Sequence, residues 1–357
     1  MRDEEKKQRA PQKRKSSWLK WVLLFGFLIA INFVQLPYYF SVPGEAKILS
    51  DVIEVEDGHE YEGSFMLTTI RMGQANPVNY VWSLLSSERE LMHENEVRPE
   101  GETDEEYHHR QMMLMDGSQE TAMVVAFEHT DIEASFENYG VFVTEIIDGM
   151  DAEGQLESGD RIVEVSGEEV REVDEMMDLL DGYDIGDDVE LVLEREENED
   201  NLESVEVEIT LEEFPEELDA EPGSGGLGVL NPVTDRTLVT DREVEIDSAE
   251  IGGPSAGLMF SLEIYNQLTE EDVTDGHHIA GTGSMTESGE VGQIGGTHQK
   301  VYAADSADAD VFFAPSDGGR EGSNYDVALE TAESIGTDMD IVAADTFEEA
   351  LEYLESL

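Results

Sequence analysis

Ser255 and Lys300 carry the clearest chemistry in this 357-residue sequence. The serine stands in IGGPSAGLMFSLEIYNQL, with two glycines and a proline before it and apolar residues at helical spacing after it. Leu258, Leu262 and Tyr265 recur on one face and Phe260, Ile264 and Leu268 on another. The spacing predicts a mostly buried helix with Ser255 in its first turn. Unpaired amides and the positive end of the helix dipole favour negative charge there, which suits a hydroxyl that becomes an alkoxide and builds an oxyanion. Gly252 and Gly253 permit unusual dihedral angles, and Pro254 suits the first helical turn. Serine also caps helices, but Pro254 directly before it argues for a position just inside.

A nucleophilic serine needs a base. From position 41 onward the chain holds only two lysines, Lys47 and Lys300. Where arginine or an acid fills nearly every solvated place, Lys300 at the end of EVGQIGGTHQK calls for a reason. A buried amine can lose its proton near neutral pH, and a guanidinium cannot. Ser255 as nucleophile and Lys300 as general base therefore make an acyl-transfer pair. GPSAG also fits the G-x-S-x-G elbow of α/β-hydrolases, which needs a later histidine. His277, His278 and His298 follow only 22 to 43 residues after Ser255, too close for the intervening strands and helices of that fold. A surface-anchored peptide-binding adaptor without catalysis is the other alternative.

Other classes fall away. The absence of cysteine removes disulfide frameworks, thiol nucleophiles and thiolate metal sites. His108 and His109 are adjacent, so their side chains diverge on a helix or a strand, and no metal or other cofactor is expected. No Gly-Lys pair exists, so there is no Walker A loop and no ATP site. The net charge is −65, and the acid is spread along the chain, which excludes nucleic acid and reads as the acidic surface of a halophile. The first 20 residues are the exception: eight basic groups against Asp3, Glu4 and Glu5.

That basic flank precedes a run without charge from Trp21 to Gly44. A stretch of about 20 apolar residues is long enough to span a bilayer, and Trp18, Trp21, Tyr38 and Tyr39 suit its two interfaces. The expectation is a single-pass anchor in the cell membrane, with the N-terminus cytoplasmic and the catalytic part extracellular. Beyond it, ILSDVIEV and GSFMLTTIRM look extended, VWSLLSSERELM is helix-prone, and TAMVVAFEH is a further apolar run. Residues 129 to 212 alternate as strands in YGVFVTEII, RIVEVSG, VELVLER and SVEVEIT, with a short helix at EVDEMMDLL. GSGGLGVLNP reads as a flexible link.

The order YGVFV, then QLESGDRIVEVSGEEV, then a helix and two strands resembles a PDZ domain. That resemblance implies a peptide-binding groove, with Tyr139, Gly140, Val141 and Phe142 matching the loop that holds a terminal carboxylate. GGPSAG, AGTGSMTESGEVGQIGGTHQK and AADSADADVFFAP are similar to the proteolytic domain of Lon-type proteases. This implies a Ser-Lys dyad on Ser255 and Lys300, with Thr282 orienting the lysine. Many Lon enzymes carry an acid where Gly252 stands, three positions before the serine. The combination resembles the membrane-bound PDZ-Lon proteases of Gram-positive bacteria. The expected fold class is therefore α+β: an N-terminal transmembrane helix, a PDZ-like β-rich module and a Lon-type proteolytic α/β domain. The expected division is a basic tail at 1–17, an anchor at 18–40, strands at 45–127 that belong to the protease, the PDZ module at 128–212 and the proteolytic domain at 225–357. Its partners would be peptide or protein substrates and the membrane, with a homo-oligomer left open.

Overall fold

The computed structural model describes residues 18, 20–22, 25–26, 31–98, 103–130, 132–198, 201–215, 223–248 and 251–357. Two compact units result, one of Met1–Asp131 with Arg242–Leu357 and one of Ile132–Asp241.

The first unit opens with β1 (Tyr38–Ile48) and β2 (Ser64–Gln74), antiparallel from Tyr39↔Gln74 to Ile48↔Met66. Their register shifts between Pro43 and Ala46, where proline has no amide to donate to a ladder. Helix α1 (Pro77–Ser83) starts where the Asn76 side chain accepts from the amides of Val78 and Asn79. Then come β3 (Glu90–His93) and the long α2 (Asp104–Glu128), so TAMVVAF lies in a helix. Its apolar run faces a core rather than a sheet partner, which sequence alternation alone cannot distinguish.

The second unit contains β4 (Ala134–Phe142), β5 (Arg161–Val165), α3 (Val173–Leu180), β6 (Asp188–Asn198), β7 (Asn201–Thr210) and β8 (Val233–Thr240). The sheet order is β7-β6-β5-β4-β8. In the LESGD turn, Asp160 is buried and takes two bonds of 2.6 Å from Arg195, an ion pair that fixes the turn against β6. Strand β8 pairs along β4, so residues 233–240 belong to this sheet.

The chain then returns to the first unit with α4 (Gly257–Leu268), β9 (His278–Gly281), α5 (Thr297–Asp305), β10 (Val311–Ala314), α6 (Asn324–Ile335), β11 (Asp340–Ala343) and α7 (Phe347–Leu354). The sheet order is β11-β10-β9-β2-β1-β3, with β11, β10, β9 and β2 mutually parallel. Side chains alternate across it. Phe65, Leu67, Ile279 and Phe313 join a core with α2, α4 and α7, whereas Met66, Ala280, Phe312 and Ala314 join one with α5 and α6. A mixed α+β architecture with helices on both faces follows.

The expected membrane span is corrected here. Among the described residues no helix is long and apolar enough to cross a membrane. The chain turns at Asn32 and Phe33 and enters β1 at Tyr38, so Tyr38 and Tyr39 are strand residues rather than the outer end of a span. The single-pass localisation with an extracellular catalytic domain loses its support with it. The basic tail at 1–17 lies outside the described residues, as do 19, 23–24 and 27–30 within the expected span.

Candidate active site

Ser255 reaches its place through a braced loop. Gly253 adopts φ 94°, and its amide donates to the Gln111 carbonyl on α2 at 2.8 Å. Gly252 lies exposed against Gln111, where an added Cβ would stand 2.8 Å from the Gln111 Cβ. The Ser118 hydroxyl donates to the Pro254 carbonyl at 3.2 Å. Helix α4 begins at Gly257 with Ala256 as its N-cap, so Ser255 stands ahead of the helix and not in its first turn. The amide of Gly257 closes a turn onto the Pro254 carbonyl instead. Gly257 is required by packing: a Cβ there would lie 2.8 Å from the backbone nitrogen of Met285. The Ser255 carbonyl accepts from the Gly283 amide and from the Thr282 hydroxyl, both at 3.1 Å.

Lys300 arrives from the opposite face of the sheet. Gly296, in the left-handed region at φ 76°, turns the chain into α5, and Lys300 is the fourth residue of that helix. The side chain is 3% exposed and passes beyond the end of β9. Its Nζ lies 2.7 Å from Ser255 Oγ and 2.8 Å from Thr282 Oγ1. Burial pushes its pKa from 10.5 down to about 7. Thr282, buried just after β9, gives its hydroxyl proton to the Ser255 carbonyl, so an oxygen lone pair remains to face the amine. The three side chains meet where α2 and α4 on one face and α5 on the other converge past the carboxyl end of β9, the usual place for a site in a parallel sheet.

The histidines that an esterase would need are engaged elsewhere. His277 Nδ1 contacts the Thr274 carbonyl, His278 Nδ1 contacts Ser64 Oγ, and His298 contacts Thr331 Oγ1 and the Ser87 carbonyl. Tyr139, Gly140, Val141 and Phe142 do not form a loop before a strand. They lie within β4, paired with β8 at Gly140↔Asp235, Val141↔Thr234 and Phe142↔Val233, and with β5 at Val141↔Ile162. Gly140 has φ 149°, and a Cβ on it would lie 2.6 Å from the Ile162 carbonyl oxygen. The outer strand of this sheet is β8, and the run from Gly223 to Gly228 precedes it, with positive φ at both glycines. Sequence reasoning missed Gln111 and Ser118. Their signal was spacing: polar residues seven apart on the helical stripe that also holds Met115 and Ala122.

Comparison with known proteins agrees with the motifs. Residues 245–355 match the family model of the Lon protease (S16) C-terminal proteolytic domain, and residues 121–209 match the PDZ domain. The chain thus carries one stretch similar to a PDZ domain and one similar to a Lon-type proteolytic domain. The Lon protease of Campylobacter concisus is 36% identical over 100 residues, 28% of this chain and 11% of that protein. The Lon protease of Campylobacter jejuni is 34% identical over 102 residues, 28% of this chain and 12% of that protein. The matched stretch therefore spans about a tenth of the curated relatives. A solved PDZ domain of an SdrC-like protein from Listeria monocytogenes covers 26% of this chain and 87% of its own, at 22% identity and a TM-score of 0.22. The Lon-type match leaves out β1 and β2, although β2 pairs directly with β9 of the matched region.

Proposed function

We propose that this chain is a serine endopeptidase that cleaves peptide or protein substrates through a Ser255–Lys300 dyad, with no ATPase of its own. The observation that carries the reading is a buried amine, with its pKa near 7, 2.7 Å from a serine hydroxyl. In the neutral state Nζ keeps an N–H for Thr282 and turns its lone pair to Ser255 Oγ–H. It takes that proton as Oγ bonds to the substrate carbonyl carbon. The resulting ammonium gives the proton to the leaving amine as the C–N bond breaks, which leaves an acyl-enzyme. Water then adds to the ester carbonyl, its proton passing to Nζ, and Ser255 regains a proton as the acid product leaves. Donors for the oxyanion would be backbone amides, since Gly252 brings no side chain.

The PDZ domain would take an extended peptide by strand addition at its outer strand β8, in place of the Tyr139–Phe142 stretch whose edges are already paired. A serine-directed acylating probe and a peptide-cleavage assay test the core of the proposal. Wild type should label and cleave, with a rate that rises through one ionisation near pH 7 and then levels. Ser255→Ala should fold and lose both properties. Lys300→Arg keeps a cation but no accessible neutral form, so its rate should fall by about 10²–10⁴-fold or more. Cleavage near the wild-type rate by either variant overturns the dyad.

A further inference from the structure

The segment that leads into α5 is held by one side chain from outside it, Asn324, and one of its own, Gln293. The Ile294 amide donates to Asn324 Oδ1 at 2.7 Å, and Asn324 Nδ2 donates back to the Ile294 carbonyl at 2.9 Å. One side-chain amide thus pairs with one residue's backbone in both directions, as a neighbouring strand would. Gln293 answers in kind. Its Oε1 accepts from the Asn324 amide at 2.8 Å, and its Nε2 donates to the Pro315 carbonyl at 3.0 Å. These four bonds tie the turn Gln293–Gly296 to the start of α6 and to the end of β10. The backbone beyond Pro315 is itself pinned, since the Asp345 carboxylate accepts from the amides of Ser316, Asp317 and Gly318.

Two residues past Ile294 stands Gly296, whose carbonyl accepts from the Lys300 amide and so opens the helix that carries the dyad lysine. We propose that Asn324, with Gln293, is a positioning residue for Lys300: the reciprocal bonds lock the turn that starts α5 and keep the buried Nζ against Ser255. The proposal rests on Lys300 acting as the base.

Charged neighbours do not supply the same effect. The elements packed on α5 bring Glu45 and Lys47 from β1, Arg71 from β2, His278 from β9, and Asp326, Glu330 and Glu333 from α6. On the helix itself, His298 is bonded to Thr331 and Ser87, and Gln299 reaches Glu90 at 3.4 Å. The low pKa of Lys300 has burial as its cause and none of these groups. A turn that loosens admits water to the amine, and its proton affinity then climbs toward that of an ordinary lysine.

The test is the pH–rate profile of the full chain on a cleavable peptide. Asn324→Ala removes both bonds to Ile294 and should move the activity-controlling ionisation up by about one pH unit. The high-pH plateau should stay within a few-fold of wild type. Gln293 is solvent-exposed, and Gln293→Ala offers a variant that folds even if Asn324→Ala does not; it should move the profile the same way. Variants whose rate falls at every pH with the ionisation unmoved would show Asn324 and Gln293 to be merely structural and overturn the proposal. If wild type itself lacks the ionisation near pH 7, the dyad reading fails instead, so the two failures are distinct.

Discussion

Replacing Lys300 by methionine should abolish catalysis and make the protein more stable, in a manner that depends on pH. The folded state holds this amine at a pKa of about 7 against 10.5 for an ordinary lysine. Each pKa unit corresponds to about 1.4 kcal/mol, so keeping the protonated amine buried costs about 5 kcal/mol below pH 7. Between the two pKa values the unfolded chain binds more protons than the folded one. Wild-type stability therefore rises with pH across that window, by about 1.4 kcal/mol per unit. Methionine has similar length and nothing to titrate. It forfeits the bonds to Ser255 and Thr282, a loss of about 1–2 kcal/mol, while Thr282 still bonds the Ser255 carbonyl. Lys300→Met should thus gain about 3–4 kcal/mol at pH 6, and the gain should shrink steadily as pH rises above 7. Glu263, buried on α4 with its pKa raised to about 7, works in a different window. Its folded form holds a proton that the unfolded chain has lost, so stability falls from about pH 4.5 to 7, and this contribution cancels between the two proteins. Urea unfolding followed by far-ultraviolet circular dichroism suits the measurement. A variant less stable than wild type at pH 6, or a difference that does not change between pH 6 and 9, would refute the claim that burial sets the lysine's pKa.

Two further substitutions separate positioning from chemistry and packing from recognition. Thr282→Val removes the hydroxyl that both braces the Ser255 carbonyl and accepts from Nζ; kcat should drop about 10-fold or more with KM little changed, read from peptide-cleavage kinetics. Gly140→Val should destabilise the PDZ unit by about 2 kcal/mol or more, because a Cβ meets the Ile162 carbonyl at φ 149°, and calorimetry of the full chain should show its transition move down even with no peptide present.

The pairing of Ser255 with Lys300, 2.7 Å apart, was legible in the sequence because lysine is so scarce in this chain that Lys300 stands out, and because GGPSAG precedes a strongly periodic helix. The placement of Ser255 ahead of α4 was not legible, since it depends on Gly257 meeting Met285 across a gap that no local pattern encodes. Strands of the PDZ sheet followed from alternation, yet β8 was assigned to the wrong side of a boundary: VTDRTLVT alternates weakly, and its partner β4 lies about a hundred residues earlier. The PDZ resemblance implies a loop at YGVF, while its alternation reads as the strand that is found; the pairing on both its edges is a long-range property. The apolar N-terminal run matches the composition of a span, but length in helical form is what a bilayer requires, and no helix among the described residues has it.

Ser64 and His278, which face each other across β2 and β9, are 214 positions apart in the chain. At a synthesis rate of about 5–20 residues per second, β2 leaves the ribosome roughly 10 to 40 seconds before β9 exists to pair with it. Every strand of the PDZ sheet emerges in that interval, so this insert can finish folding while its host is still half made. Lys300 comes later still. On the proposed mechanism, a nascent chain thus carries its nucleophile before it has a base. The same delay leaves one edge of β2 without a partner, and gives the strong negative charge a use before the native state exists: like-charged nascent chains repel one another.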